Sequence, residues 1–330
     1  MKLLNLCWVL SLVTALTLVA SRQAIGADAF PSRPLRILVN TAPGGLTDVT
    51  TRVIAQQMGD YFKQSVVVEN RGGGDGLIGI RTVKSANPDG YTVLSSAATI
   101  AQQMAVQPDA GYDLLKDFTG IGIMARAPYL MLVGASQPDR TVADFIKRAK
   151  ASPGKLSYAS AGNGTVPHFV GERFLRQAGG IQVLHIPYKG NGPAMVDIIS
   201  GRVEMIFGGY GGVAGQLKGG QLRALGVTSP ARIPVLPDVP TFTEQGIPFL
   251  GYTWLCLVVP AATPKAVVQR LFDALRSAKA SPAIQKRYRD DATEDMDMSL
   301  DQLKQFFQRE VADSQKLAKE LGLNNQSPAR

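Results

Sequence analysis

The feature that most restricts this chain is one local pattern that recurs. An apolar run short enough for a strand leads into a glycine-rich turn, and apolar residues at helical spacing follow. Leu35 to Asn40 is the first run. Thr41 to Asp48, with Pro43-Gly44-Gly45 inside it, is the turn. Val49, Val53, Ile54 and Met58 mark the helix. Val66-Val67-Val68, the loop Asn70 to Gly76, and Ile78, Val83 and Ala86 repeat the series; Asn87-Pro88-Asp89-Gly90 then turns the chain into a third strand, Tyr91 to Ser95. Strands alternating with helices argue for a parallel sheet covered on both faces.

The pattern restarts at Tyr129 to Val133. A helix over Thr141 to Lys150, ended by Ser152-Pro153-Gly154, is followed by a strand over Leu156 to Ser160, a turn over Ala161 to Thr165 and a helix from Pro167 to Ala178. Val183 to Ile186, Val203 to Phe207 and Leu222 to Val227 read as strands, and Pro193 to Ser200 as a helix. Two such series predict two α/β lobes, each a mainly parallel sheet flanked by helices.

The C-terminal part lacks the alternation. After a last strand, Leu255 to Val259, Thr263-Pro264 reads as an N-cap with proline at the first helical position. Ser299-x-x-Gln302 reads as a capping box before a long helix with Leu303, Phe307, Leu317 and Leu321, closed by Gly322. Helices without new strands are expected to return over the first lobe. With chain crossings expected around Gly120 to Leu132 and Gly251 to Val259, lobe one is residues 30–125 plus 254–330 and lobe two is 126–253.

Lys2, an apolar stretch from Leu3 to Ala20 and the small residues of Ala27-Asp28-Ala29 read as a secretory signal peptide over residues 1–29, cleaved near Ala27 or Ala29. Cys7 leaves with it. The mature chain keeps only Cys256 and cannot form an internal disulfide. A cysteine-poor exported chain points to a bacterial periplasm.

The mature chain carries 33 basic and 25 acidic residues, a balance of +8. The cations are dispersed. The densest run, Lys286-Arg287-Tyr288-Arg289, has no interleaved stacking aromatics and reads as a solvated helix face, so nucleic acid is not expected as a partner. Two histidines in 330 residues argue against a histidine-rich metal centre, and no metal or cofactor is expected. Gly74-Asp75-Gly76-Leu77-Ile78-Gly79 fits the dinucleotide pattern G-x-G-x-x-G, but the next strand ends in Leu94-Ser95-Ser96, without the acid that would hold the ribose. Ala159-Ser160-Ala161-Gly162 lacks the first glycine of a nucleophile elbow. Cys256 and His185 lie in apolar strands and read as structural, and no paired acids stand at a catalytic spacing.

What remains are the turns themselves. A glycine-rich strand-to-helix turn presents unpaired N–H groups at the positive end of a helix dipole, a ready anion site. Two of them, one per lobe, are the candidate ligand loops: Thr41, Pro43, Gly44, Gly45, Thr47 and Asp48 in the first, and Ser160, Ala161, Gly162, Asn163, Gly164 and Thr165 in the second. His168 follows close behind. The hydroxyls of Thr47, Ser160 and Thr165 are the expected side-chain donors. Such loops sit at the carboxyl ends of parallel strands, where open α/β sheets bind ligands.

With these loops in view, the chain resembles the tripartite tricarboxylate transporter receptors, the TctC or Bug extracytoplasmic solute receptors. The resemblance is carried in order by Pro31 to Arg36, Ala42-Pro43-Gly44-Gly45-x-x-Asp48, Val68-Glu69-Asn70-Arg71, Pro88-Asp89-Gly90-Tyr91-Thr92 and Pro153 to Tyr158. It continues through His185 to Gly190, Arg223 to Ser229, Val239-Pro240-Thr241 and Pro260 to Pro264. It implies a two-lobed periplasmic binding protein, type II-like, that captures a small organic carboxylate between its lobes and delivers it to membrane permease subunits. A monomer with no enzymatic activity is expected. A secreted α/β enzyme acting on a carboxylate, or a ligand-sensing partner of a membrane kinase, are the other readings. The chain departs from the family pattern at Asn40-Thr41, at Asp75 where a small residue is usual, and at the glycine-rich Gly208 to Gly212. Asp75 could repel a second carboxylate or meet an amino group.

Overall fold

A computed structural model describes residues 30–107 and 109–324. The expected signal peptide lies outside the described residues.

The first unit runs β1 (Leu35–Val39), α1 (Leu46–Phe62), β2 (Val66–Asn70), a 3-10 turn at Gly74–Gly76, α2 (Leu77–Lys84), β3 (Thr92–Ala97), α3 (Thr99–Val106), the single turn α4 (Leu114–Asp117) and β4 (Phe118–Pro128). The second runs β5 (Leu130–Gly134), α5 (Val142–Ala151), β6 (Ser157–Ser160), α6 (Val166–Gln177), β7 (Leu184–Pro187), α7 (Asn191–Ile199), β8 (Met205–Gly208), α8 (Ala214–Lys218) and β9 (Leu222–Val227). The chain then re-enters the first sheet as β10 (Tyr252–Pro260) and ends in α9 (Lys265–Ala280), α10 (Pro282–Asp290) and α11 (Leu300–Leu321).

The two sheets have the same plan. One is ordered β2-β1-β3-β10-β4 and the other β7-β6-β8-β5-β9. In each, the first three strands pair in parallel and the last two pairings are antiparallel. Four of the five strands in each sheet therefore run the same way, as expected of mainly parallel sheets, and one runs against them. The strand that comes from the other lobe, β10 or β5, enters between strands of its host sheet and runs against both. The single strand expected across Gly120 to Leu132 breaks at Tyr129, and there the chain changes sheets.

Strands covered on both faces read as continuous apolar runs. β1 is buried at four of its five positions. Ile37 belongs to the core cluster that holds Ile54, Met58 and Leu271, while Leu38 belongs to the cluster that holds Ile80, Val83 and Leu94. The C-terminal helices return to the first lobe, α9 against α1 and β4, and α11 against α3 and β4. α11 also touches α6 of the second lobe, where Arg176 donates to the Glu320 carbonyl.

Local signals decide where these helices begin and end. Ser299 and Gln302 form the reciprocal capping box, and Gly322 ends α11 in the left-handed region. Thr141 and Asp144 form a second box on α5. The expected Thr263 cap is corrected: Pro264 occupies the N-cap position of α9, and the buried Thr263 hydroxyl has no partner. Lys286 to Arg289 lie on α10 with Lys286 and Arg287 paired to Asp290 and Asp291, a solvated helix face as expected. Cys256 is fully buried in β10, and burial pushes its thiol up to about 12, so it is not reactive. Among the described residues no helix is long and apolar enough to cross a membrane, and no group of three or more metal-ligating side chains occurs.

Candidate interlobe binding site

The carboxyl ends of the parallel strands of both sheets meet at one cavity. Its wall takes Thr41 after β1, Ala97 and Thr99 after β3, Ala161 after β6, Asn191 after β7 and Gly209 after β8. Gly45, Leu46 and Thr47 add the start of α1, and Tyr129 and Thr253 come from the two crossings between lobes. The cavity measures about 40 Å³, and among the described residues no charged side chain lines it.

The first candidate loop is held by Asp48. Its carboxylate accepts the Gly44 N–H at 3.0 Å and the Asn70 amide at 2.9 Å, and pairs with Arg52 at 2.9 Å. Burial works against this charge, but the three partners together keep its pKa below the ordinary carboxylate value. Asp48 therefore shapes the loop and is not turned to the cavity. Gly44 needs its glycine for φ +88°, since a side chain there would otherwise meet open space. The first α1 hydrogen bond is Val49 N–H to Gly45 O. Among the described residues the N–H groups of Gly45, Leu46 and Thr47 have no partner. Thr47, Gly45 and Thr41 line the cavity; Pro43, Gly44 and Asp48 do not.

The second loop is different, because its donors are spent on the protein. Gly162 N–H donates to Ser160 Oγ at 3.1 Å, Asn163 N–H to Asp75 Oδ1 at 3.1 Å and Gly164 N–H to His168 Nδ1 at 3.0 Å. Thr165 N–H reaches Gly162 O at 3.3 Å and Val166 N–H reaches Thr99 Oγ1 at 3.4 Å. The hydroxyls are engaged too. Thr165 donates to Gly162 O at 2.6 Å, and Ser160 shares a 2.6 Å bond with His185 Nε2. Of this loop only Ala161 lines the cavity, and its N–H has no partner among the described residues.

His168 and His185 sit beneath this loop, their rings stacked at 4.0 Å, with Tyr158 stacked on His185 at 4.8 Å. His168 is 1% exposed. Burial, with His185 beside it, lowers the His168 pKa to about 3; burial lowers His185 to about 4. Both are neutral at pH 7. His168 must then carry its proton on Nε2, because Nδ1 accepts. It supports the loop from below and does not reach into the cavity.

Sequence reasoning did not find Thr99, Tyr129, Asn191 or Thr253. Thr253 is 1% exposed; its hydroxyl lies close enough to the Tyr129 phenol to hold back the rise that burial gives the Tyr129 pKa, yet it has no partner in hydrogen-bond geometry among the described residues. The Asn191 side-chain oxygen is also buried without a partner. Unpaired polar groups of this kind cost stability and are rare in a folded core. Asn191 follows the quoted Tyr188-Lys189-Gly190 run, which was the available signal for it.

Two sheets of one plan, joined by two crossings and meeting at a cavity without charged side chains, define a two-lobed solute-binding protein. Over residues 50–323 the chain matches the tripartite tricarboxylate transporter family receptor, TctC, and it belongs to that family of periplasmic solute receptors. It is 35% identical over 307 residues to an uncharacterised-family protein of Pseudomonas sp. strain P51, covering 92% of this chain and 91% of that one. Among solved structures, the periplasmic binding protein BugD superposes with a TM-score of 0.86 at 31% identity, over 90% of this chain and 100% of that chain. An R. palustris protein with adipate superposes at 0.85 and 30% identity, over 89% and 98%.

Proposed function

We propose that this receptor takes the carboxylate of a small organic acid into the interlobe cavity and presents it to the permease subunits of a tripartite transporter. The observation that carries the reading is the set of polar groups facing a cavity without charge: the unpartnered N–H groups at the start of α1, the Ala161 N–H, and the idle Thr253 hydroxyl. The N–H groups and the hydroxyl are donors. Together with the positive end of the α1 dipole, they suit an anion. A hydrogen bond to a charged group is worth about 1.5–3 kcal/mol, so a few such donors suffice. A site built from backbone and hydroxyls also releases its anion more readily than one built on a buried arginine. That suits a carrier. The structural relative with adipate supports an acid as ligand.

The present cavity is far below the roughly 300–1,000 Å³ of ligand pockets. Admission of an acid therefore requires the lobes, 30–125 plus 254–330 against 126–253, to part about the crossings. Of the loop residues named from sequence, Thr41, Gly45, Thr47 and Ala161 touch the ligand in this reading. Pro43, Gly44, Asp48, Ser160, Gly162, Asn163, Gly164, Thr165 and His168 hold the loops in shape. The mature protein begins near Ala27 or Ala29, acts as a monomer in the periplasm and has no turnover of its own. A thermal-shift screen of mono-, di- and tricarboxylates tests this, since a ligand at 100 times its Kd stabilises by about 2.7 kcal/mol. No shift with any acid would reject the reading, and consumption of a bound acid by the purified protein would make it an enzyme.

A further inference from the structure

We propose that Asp75 makes this receptor select acids with one carboxylate, because its own carboxylate fills the anion position at the second lobe's loop. The inference rests on the interlobe cavity being the carboxylate site.

A dicarboxylate held across the cleft needs donors from both lobes, or a cation. Among the described residues no cation lines the cavity. The first lobe offers the unpartnered N–H groups of Gly45, Leu46 and Thr47. In the second lobe the Ala161 N–H alone of this loop is open; every N–H from Gly162 to Val166 is already bonded among the described residues, and the one taken by a charged group is Asn163, which donates to Asp75 Oδ1 at 3.1 Å. Asp75 comes from the first lobe, on the turn between β2 and α2, so the chain supplies across the cleft the carboxylate that this loop would otherwise receive from a ligand.

The placement is built. Asp75 stands at φ +56°, a left-handed conformation that a non-glycine residue keeps only where its surroundings hold it. Gln103, fully buried on α3, donates to Asp75 O at 2.9 Å and also to Asn163 O, which ties the turn to the loop. The fit against Gly162 is close: a Cβ there would lie 2.6 Å from Asp75 Oδ1. Burial raises the Asp75 pKa, and its hydrogen-bonding partners are amide groups, with no cation beside it. A second ligand carboxylate in this quarter would thus meet an uncompensated like charge.

Calorimetric titration at pH 7.5 with matched straight-chain acids tests it, hexanoate against adipate and butyrate against succinate. The native protein is expected to bind the monoacid of a pair at least 10-fold more tightly. Asp75→Asn, which removes the charge, should narrow that ratio about 10-fold or more. Asp75→Gly suits the positive φ and also frees the Asn163 N–H, so it should narrow the ratio further. Equal or tighter binding of the diacid by the native protein, or a ratio unchanged within twofold in both variants, would overturn the role of Asp75 and leave the receptor reading intact. Failure of all four acids to bind would overturn both.

Discussion

Tyr129 and Thr228 are joined twice. Tyr129 N–H donates to Thr228 Oγ1 at 2.8 Å, and Thr228 N–H donates to Tyr129 O at 2.9 Å. The same hydroxyl donates to the carbonyl of Gly251, whose N–H returns to Thr228 O at 3.1 Å. Tyr129 is the first passage between sheets and Gly251 precedes the second. One threonine therefore binds both crossings.

Replacing Thr228 by Val keeps the shape but strands the Tyr129 N–H and the Gly251 carbonyl in the interior. Leaving a buried polar group without a partner costs about 1–3 kcal/mol. With two groups stranded, Thr228→Val should lose roughly 2–6 kcal/mol in denaturant unfolding, and Thr228→Ser should recover most of it. Equal stability of the Val variant would show that the hydroxyl does not couple the crossings.

The two histidines give a pH prediction with a definite sign. Their folded pKa values, about 3 for His168 and about 4 for His185, lie below the ordinary 6.5. Above pH 6.5 both are neutral folded or unfolded, and their contribution to stability is complete. Between 6.5 and the folded values the unfolded chain binds protons that the folded chain refuses, so stability falls as pH falls. Since the sequence has only two histidines, the ring-proton NMR signals of a tag-free protein can be followed directly. Neither should titrate between pH 8 and pH 5. A midpoint near 6.5 in the folded protein would remove the buried stack as the support of the loop.

Gly44 and Gly162 look equivalent in the sequence and are not. Gly44 has φ +88° and open space where a Cβ would stand, so Gly44→Ala carries only the left-handed penalty of roughly 1–2 kcal/mol. Gly162 has φ +130°, and its Cβ would meet both the carboxylate and, at 3.2 Å, the Cα of Asp75 on the other lobe. Gly162→Ala should therefore hold the lobes apart. Small-angle scattering should give a larger radius of gyration for Gly162→Ala than for Gly44→Ala; equal radii would contradict the close contact.

This contrast also marks what was legible in the sequence. The turns were legible because Pro43-Gly44-Gly45 and Gly162-Asn163-Gly164 can continue neither strand nor helix, and the apolar runs between them have a period. The use of the turns was not. Whether the Gly164 N–H faces a ligand or His168 Nδ1 depends on how α6 packs over its own first turn. Whether the Asn163 N–H is open depends on Asp75, 88 residues away. Tyr129 and Thr253 belong to apolar runs and read as core; they line the cavity because both crossings pass it. The antiparallel strands β5 and β10 were missed for a related reason, since a strand's direction in a sheet is set by which lobe the chain arrives from.

Thr253 offers the sharpest separation of stability from binding. Its hydroxyl is buried, lines the cavity and has no hydrogen-bond partner, so the ligand-free protein bears the cost of desolvating it. Thr253→Val removes that cost with little change of shape, and β-branched valine suits strand β10. The variant should be more stable than the native protein by about 1 kcal/mol in denaturant unfolding. If the hydroxyl is kept for a carboxylate, the same change should weaken binding of the best acid from the screen by about 10- to 150-fold, the range of a hydrogen bond to a charged group. Thr47→Ala should weaken binding similarly without the gain in stability. A Thr253→Val protein that is stabilised yet binds as tightly as the native one would place the ligand away from β10 and leave the start of α1 as its anchor.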